Sequence, residues 1–527
     1  MSAGCKVAIN LIDEKWIPVR TLDGERRLVS LRDALVRARA YAGLSEELTP
    51  PGLIGLYRLL LAALNRALTL SLGDWTVRQQ AEWFQQGVPQ KLIEPYLSQW
   101  YDRFWLFHPE HPFLQVPVLE QIQDTRDKQK PWTQLSLDRA SGNNPTLFDH
   151  SVDDAPEPAS WQQVLWSLIG FLQFTPGGLV RVLKRSDKGG PLANSAAVLP
   201  LGDNLEQTLL LALHRSRSED MPSWERNPPT EAELRDERGR LATGPNDRYS
   251  WLSRAVLLIE EEDAPGRIRW IRFGAGMALA DDPQNLDAMV AYRIGPEGPK
   301  PIRLEEGRAF WRDLPSLVPD PQNSSVHPPA VLSWARQLCL ELGQFDRDVP
   351  VLVLGVTSEQ AKPARLLRWR TELVRLPAKL LKELEAARFV RSWVGLCEEL
   401  FNDLRKSLAR VHKLVAEPHT TDKRRDRGAA QGTGSASRSR QDTFRADVAA
   451  AVYFQRAEWA LPELLSDAVN NRTAANWRRE LRRAAREAWD AGIRHLGPSP
   501  AVWIAEARER GRFFAQCRRK LGPDAEE

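Results

Sequence analysis

Cysteine is scarce in this chain, and the few cysteines are far apart. Cys5, Cys339, Cys397 and Cys517 form no CxxC pair, so the spacing used by structural zinc sites and disulfide frameworks is absent. We therefore expect no metal site and no disulfide framework, and we predict a reducing compartment, the cytoplasm.

Long apolar runs are missing as well. No uninterrupted run of about 18 apolar residues occurs, which argues against a transmembrane helix. The most apolar long stretch, residues 53–72, is interrupted by Arg58 and Arg66 and is predicted to be a core helix. The first residues show no basic segment followed by an apolar one, so we expect neither a signal peptide nor a membrane partner.

Neither sign of charge is in large excess. The 73 Lys and Arg residues nearly balance the 69 Asp and Glu residues, for a net charge of +4. A strong global attraction to nucleic acid is therefore excluded, and binding would depend on local basic patches. A length of 527 residues is too great for one ordinary core, so two or more domains are expected.

Motifs of the common enzyme classes are absent. The sequence contains no GxSxG, no P-loop, no HExxH and no Rossmann glycine pattern after a strand. His108 and His111 lie three apart, but Pro109 and Pro112 argue against a helix that would pair them, and no third ligand is near. We predict a protein that is not an enzyme and needs no cofactor or metal. A metal-dependent nuclease built from acids on separate elements stays open.

The pattern of the chain changes near residue 363. Before it, apolar helices alternate with strand-like runs and with loops rich in Pro, Gly and Asp. After it, apolar residues recur at three- and four-residue spacing. We predict an α+β protein with a large mixed domain over residues 1–365 and a C-terminal four-helix bundle over residues 366–527. Residues 418–441 are polar, basic and rich in Gly and Ser, and are predicted to form a mobile linker.

Four short segments resemble one protein family. They are residues 10–19 (NLIDEKWIPV), 111–115 (HPFLQ), 141–148 (SGNNPTLF) and 355–361 (GVTSEQA). Their order and spacing, followed by a helical bundle, are similar to those of CasA, the large subunit of the type I-E CRISPR surveillance complex Cascade. No single segment is decisive.

The resemblance implies a non-catalytic subunit that recognises the protospacer-adjacent motif (PAM) of duplex DNA. It also implies that the chain promotes strand separation and R-loop formation, contacts the 5′ handle of the crRNA and docks the helicase–nuclease. The partners implied are the other Cascade subunits, crRNA, double-stranded target DNA and that effector. An RNA-scaffold subunit without PAM sensing is the alternative.

Gly177 and Gly178, in the segment TPGG, follow a predicted helix. A helix cap with a turn explains them, but a backbone without Cβ atoms can also approach a ligand closely. In CasA a glycine loop approaches the minor groove of the PAM. Three downstream cations, together with Arg181, are candidates for phosphate contacts or for a solvated basic face. They are Lys184, Arg185 and Lys188.

A short polar segment follows a predicted buried strand over residues 350–355. The resemblance implies that Gln360 in this segment is a wedge beside the PAM that helps to separate the first base pairs. An ordinary surface-turn glutamine is the alternative. Glu359 is assigned no role, because an acid there would repel phosphate.

Two further contacts are implied by the resemblance. Arg272, with Arg269 as a competing candidate, matches a basic finger that enters the minor groove, whereas solvated strand arginines are the alternative. Phe148 matches an aromatic position that contacts the crRNA handle, since single-stranded bases stack on aromatic rings. A buried phenylalanine beside a loop is the competing interpretation.

Arginines recur in the third predicted bundle helix at three- and four-residue spacing. A solvated face is the default interpretation of this pattern. A groove for the displaced DNA strand, or a face for a neighbouring subunit, is the alternative. These arginines are Arg478, Arg479, Arg482, Arg483 and Arg486.

Overall fold

A computed structural model describes residues 8–137, 156–178, 180–215, 218–318, 320, 324–344, 347–359, 362–416 and 446–522. The chain divides into two compact units, Met1–Lys382 and Glu383–Glu527. The first unit mixes helices with small antiparallel sheets, and the described part of the second is helical. The predicted α+β class, with a mixed unit followed by a helical one, is confirmed.

The helices of the first unit are mostly short, and the longest of them crosses its core. They are α1 (Leu31–Val36), α2 (Pro50–Leu72), α3 (Val77–Gln86), α4 (Glu94–Gln99), α5 (Gln123–Arg126), α6 (Trp161–Phe174), α7 (Leu205–Ala212), α8 (Glu231–Arg235), α9 (Pro245–Tyr249), α10 (Ala330–Leu342) and α11 (Ala378–Lys382).

The strands of this unit pair antiparallel. They are β1 (Ile17–Thr21), β2 (Arg26–Val29), β3 (Tyr41–Leu44), β4 (Lys130–Pro131), β5 (Ala159–Ser160), β6 (Ala196–Pro200), β7 (Arg254–Glu260), β8 (Arg267–Ala275), β9 (Tyr292–Gly295), β10 (Gly298–Pro301), β11 (Val326–His327), β12 (Asp348–Glu359) and β13 (Lys362–Pro377). The strand orders are β2-β1-β3, β10-β9-β11, β13-β12-β6 and β4-β8-β5, and β7 also pairs with β8.

Helix α2 is the predicted core helix. The hydroxyl of Thr49 accepts a hydrogen bond from the amide of Gly52, and prolines occupy the first two helical positions, as is typical of a helix start. By length and composition alone α2 could cross a membrane, but most of its residues are buried inside the first unit. Such burial is typical of the core helix of a soluble domain.

The two arginines that interrupt the apolar sequence of α2 are buried and paired. Arg58 Nη2 lies 2.5 Å from Asp287 Oδ1, and Arg58 Nη1 donates to Gln173 Oε1 at 2.8 Å. Arg66 makes a two-pronged contact with Glu225, with its Nη2 2.6 Å from Oε2. These charges are tolerated in the core because each has a carboxylate partner at hydrogen-bonding distance.

Helices α2 and α6 approach each other very closely. A Cβ atom on Gly170 of α6 would lie 2.7 Å from the backbone nitrogen of Gly52 and 2.9 Å from the carbonyl carbon of Pro51. On the other helix, a Cβ on Gly55 would lie 2.8 Å from Ile169 Cγ2. This crossing therefore requires glycine on both helices, and it fixes the position of α6.

Strand β12 forms the middle of the sheet β13-β12-β6, and its residues 351–354 are buried, which confirms the predicted buried strand. The prediction of a bundle helix from residue 366 is wrong, because those residues form β13 instead. The period-two burial of Val374 and Leu376 belongs to a strand whose partner is β12. The first unit consequently extends to Lys382, beyond the predicted boundary at residue 365.

Four long helices make up the described part of the second unit. They are α12 (Leu384–Ala416), α13 (Asp447–Val469), α14 (Ala475–His495) and α15 (Pro500–Leu521). Helix α12 contacts α13 and α15, and α14 contacts α13 and α15, so the four close into a bundle. Trp489 and Phe513 stack in its core with ring centroids 5.2 Å apart. The predicted linker, residues 418–441, lies outside the described residues.

Some of the arginines of α14 serve the bundle itself. Arg482 donates from Nη2 to the carbonyl oxygens of Leu521 and Gly522 at 3.3 and 2.8 Å, so it caps the end of α15. The guanidinium of Arg478 lies 5.7 Å from the ring centroid of Trp393. The basic face available to a partner is therefore narrower than the sequence spacing indicates.

The α2–α6 crossing leads to a stability prediction. Gly170→Ala should lower the stability of the first unit by about 1–3 kcal/mol, since the new methyl group would overlap backbone atoms that cannot move away independently. Gly395→Ala is the matched control, because no described atom lies within 4 Å of that Cβ position in α12, and it should be neutral or stabilising by about 0.5–1 kcal/mol. Native-state hydrogen exchange reports each unit separately. Unchanged protection of α6 in Gly170→Ala would contradict the close approach.

Candidate nucleic-acid interface

Residues 175–190, here called the glycine loop, leave the end of α6 and return to it. Residue 179 of this loop is not among the described residues. The amide of Gly190 donates to the carbonyl of Thr175 at 2.8 Å, and the amide of Gly178 donates to the carbonyl of Asp187 at 3.1 Å. The two limbs of the loop are thus joined backbone to backbone near α6.

The two predicted glycines differ in their surroundings. A Cβ on Gly177 would lie 2.8 Å from the backbone nitrogen of Gly189, so the close contact of the two limbs already requires glycine there. Gly178 has a φ of +81°, which favours glycine, and no described atom lies within 4 Å of its Cβ position. Of the two, only Gly178 faces space into which a ligand could approach.

Arg254, at the start of β7, lies inside the base of the glycine loop and is fully buried. Its Nη2 donates to the carbonyl of Pro176 at 2.5 Å and lies 2.5 Å from Asp187 Oδ2, while Nη1 donates to the carbonyl of Lys188 at 2.8 Å. Burial lowers the pKa of Arg254 to about 10, and the charge of Asp187 opposes that shift. Sequence reasoning missed this residue, which stands in an ordinary strand pattern.

The far end of the glycine loop docks on β8. The amide of Ala275 donates to the carbonyl of Val182 at 3.1 Å. The side chain of Leu183 packs against Gly274, where a Cβ would lie 3.0 Å from Leu183 Cδ1. Leu183 has a φ of +76°, an uncommon conformation for a residue with a side chain. The loop is therefore attached at its far end as well as at its base.

Lys184 takes part in this internal attachment. Its side chain is buried, and Nζ donates to the carbonyl of Gly276 at 2.8 Å. Burial lowers the pKa of Lys184. The sequence predicted a phosphate contact for this lysine, but its ammonium group is occupied inside the protein and is not presented to solvent.

The other predicted phosphate contacts are exposed on the loop. Arg181 and Arg185 are exposed, and Lys188 is 52% exposed, with Nζ 3.6 Å from Asp281 Oδ2. An open groove of about 480 Å³ runs past this surface. Its charged lining residues are mainly cationic, and they are Asp124, Lys128, Arg181, Lys184, Arg185, Arg235 and Glu237.

The glycine loop and the β12–β13 hairpin share an anchor in the first unit. Phe174, the last residue of α6, meets Trp369 of β13 edge to face, with ring centroids 5.7 Å apart. Trp369 stands opposite Val356 in the hairpin. A Cβ on Gly355 would lie 2.8 Å from the carbonyl oxygen of Ser195, the residue directly before β6. The end of α6 that precedes the glycine loop and the described part of the hairpin are thus in contact.

Residue Gln360 itself lies outside the described residues, as does Phe148. Strands β12 and β13 are described up to positions 359 and 362, and their register is continuous apart from shifts near residues 357–359. The proposed wedge therefore has a paired strand on each side. The roles implied for Gln360 and Phe148 stay predictions.

Neither arginine predicted to form a basic finger projects from a loop. Arg272 stands opposite Leu257 in the paired part of β8, is 14% exposed and lies 3.8 Å from Glu120. Arg269 is the extra residue of a β-bulge, is 35% exposed, and contacts Glu261 at 3.2 Å. Arg272 nevertheless lies on the strand that receives the far end of the glycine loop.

The histidine pair has a structural role. His108 Nδ1 accepts hydrogen bonds from the amides of Glu110 and His111 at 3.1 and 2.9 Å, and so closes a turn. Among the residues that the structure describes, no group of three or more His, Cys, Asp or Glu side chains could hold a metal ion.

Comparison with known proteins gives consistent matches along most of the chain. The family model for CRISPR-associated protein Cse1 matches residues 10–488. The CRISPR-associated protein CasA/Cse1 of Thermus thermophilus is 35% identical over 496 residues, which cover 93% of each protein. A solved structure of Thermus thermophilus CasA has a TM-score of 0.78 and 30% identity, covering 98% of this chain and 99% of that one.

A chain from a structure described as a CRISPR RNA-guided surveillance complex has a TM-score of 0.73, covering 96% of this chain and 99% of that one. At 20% identity it supports the fold alone. The family model and the Thermus relative show more than the fold, since they match most of the sequence, and the family is the one that the four segments resemble. This chain therefore belongs to the Cse1 (CasA) family and is a large subunit of the CRISPR surveillance complex Cascade.

Proposed function

We propose that this subunit recognises the PAM of duplex DNA with the glycine loop and begins strand separation at the end of the β12–β13 hairpin. The observation that carries the proposal is the shared anchor of these two segments, the contact between Phe174 and Trp369. A motif reader and a wedge must act on adjacent base pairs. Segments fixed to one aromatic contact can keep the spacing that this requires.

The exposed surface of the loop suits the minor groove. Gly178 offers backbone without a side chain, and Arg181, Arg185 and Lys188 are exposed cations of the same loop. Minor-groove edges carry a degenerate pattern of acceptors, so a backbone reader would recognise a class of short motifs. Base pairing with the guide then supplies the sequence specificity, as is general for RNA-guided recognition.

We further propose that the subunit works with crRNA, the other Cascade subunits and a separate helicase–nuclease. One structural relative is part of a structure described as an RNA-guided surveillance complex, which supports assembly with RNA. On this proposal Phe148 contacts the crRNA handle, and either Arg269 or Arg272 reaches the minor groove after rearrangement. An RNA-scaffold role without PAM sensing predicts binding that does not depend on the PAM.

Gly178→Val should weaken binding of a PAM-containing duplex by the assembled complex about tenfold or more, because a side chain would prevent close approach to base edges. A target with pre-opened strands should be bound nearly as well as by the unmodified complex. Gly24→Val is the matched control, with a φ of +91° and no described atom within 4 Å of its Cβ position. Electrophoretic mobility shifts measure the affinities of the unmodified complex and of both variants for the two targets. Equal losses on both targets would indicate a folding defect and contradict the role of the loop.

Salt dependence separates the exposed cations from the buried one. Arg181→Gln and Arg185→Gln should each reduce the slope of log affinity against log salt by about 0.9, the value expected for one lost phosphate contact. Lys184→Met should leave that slope unchanged and lower the melting temperature, because the ammonium group of Lys184 donates a buried hydrogen bond to the carbonyl of Gly276. Arg78→Gln, on the exposed face of α3, is the control. An altered slope in Lys184→Met alone would reverse these assignments.

Gln360→Ala should slow R-loop formation on duplex targets while the complex still assembles, because a wedge replaces stacking worth a few kcal/mol per base step. Permanganate footprinting of the first unpaired bases measures opening directly. The same variant should bind a pre-opened target normally. Unchanged opening on duplex DNA would remove the wedge assignment.

A further inference from the structure

We propose that Arg254 and Asp187 are positioning residues that fix the shape of the glycine loop and thereby determine how well the subunit discriminates the PAM. This inference rests on the proposed function of the loop. Neither residue is exposed, so neither can contact DNA itself. They act through the backbone that they hold.

Arg254 joins both limbs of the loop to the sheet below it. One guanidinium nitrogen reaches the carbonyl of Pro176 on the outgoing limb, and the other reaches the carbonyl of Lys188 on the returning limb. Nη1 also donates to the carbonyl of Ser253 at 2.6 Å. The planar fork of arginine allows these contacts from one side chain, which the single ammonium group of lysine could not reproduce.

Asp187 links Arg254 to Gly178, the exposed glycine of the loop. Its Oδ2 lies 2.5 Å from Arg254 Nη2, its Oδ1 accepts from the amide of Val180 at 3.3 Å, and its carbonyl accepts from the amide of Gly178. The amides of Gly178 and Val180 are therefore both hydrogen-bonded to one aspartate. On this proposal, these bonds determine which face of Gly178 points outward.

A buried charge pair is a costly way to stabilise a loop, because both groups lose their hydration. Apolar side chains would fill the same space at a lower free-energy cost of desolvation. What the side chains of the pair add is one defined arrangement of three backbone groups of the loop, the carbonyls of Pro176 and Lys188 and the amide of Val180. The loop glycines by themselves allow many arrangements. Discrimination between closely similar duplexes needs such a fixed backbone, whereas simple affinity for DNA does not.

The test uses the assembled complex and measures the ratio of affinities for duplexes with and without the PAM. Arg254→Met should reduce this ratio about tenfold, while binding of a pre-opened target stays within about twofold of the unmodified complex. Arg254→Lys should give an intermediate ratio, because it keeps the charge and loses the fork. Asp187→Asn, which keeps the shape and removes the charge, should also reduce the ratio.

Arg66→Met is the matched control, since Arg66 is a buried arginine of the same unit paired with Glu225 away from the loop. It should lower the melting temperature and leave the discrimination ratio unchanged. Measurements below the melting temperature of every variant keep all chains folded. Equal reductions of the ratio in Arg66→Met and Arg254→Met would overturn the inference.

Different experimental outcomes would contradict the positioning role of Arg254 and Asp187 and the proposed function of the glycine loop. If Gly178→Val abolishes discrimination while folded Arg254→Lys and Asp187→Asn keep the full ratio, the positioning role is wrong and the glycine loop still reads the PAM. If Gly178→Val also keeps the full ratio, the loop does not read the PAM and the proposed function is wrong. Reduced ratios in both sets of variants, with binding to pre-opened targets preserved, support the inference.

Discussion

The close approach of α2 and α6 is the constraint on which the candidate site depends. Because Gly170 lies against the backbone at Gly52, α6 has little freedom to shift or rotate. Its last residue, Phe174, then meets Trp369, and the next residue opens the glycine loop. A helix that moved by one ångström would move the loop and the hairpin anchor together. The site is thus built on a close helix–helix contact that leaves no room for a Cβ atom, as precise positioning requires.

Buried arginines complete this framework, each with a carboxylate far away in sequence. Arg58 of α2 reaches Asp287 and also Gln173, immediately before Phe174. Arg254 reaches Asp187 in the loop. Breaking such a pair leaves an uncompensated buried charge, so alternative arrangements of these segments are strongly disfavoured. The result is a core in which charge pairs specify the geometry and apolar contacts supply most of the stability.

Local patterns in the sequence predicted the elements whose signals are local. The core helix predicted over residues 53–72 lies within α2, the helix predicted before Gly177 is α6, and the family could be inferred from four short segments. Strand β13 was missed because its evidence is its pairing with β12. Lys184 and Arg185 are adjacent cations with no sequence feature to separate them, and only the fold brings the carbonyl of Gly276 to the lysine. Arg254 was overlooked for the same reason.

Some groups hold the glycine loop in place, and others on the loop face outward. Gly177, Lys184 and Arg254 are used internally, while Gly178 and the exposed cations are available to a ligand. Ordering a flexible backbone costs about 1–2 kcal/mol per residue, so a mobile loop of this length would lose much of its binding free energy on contact with DNA. A loop already attached at both ends avoids that cost. On the proposed function, the binding free energy so retained is available to oppose base stacking at the hairpin, which is where strand separation would begin.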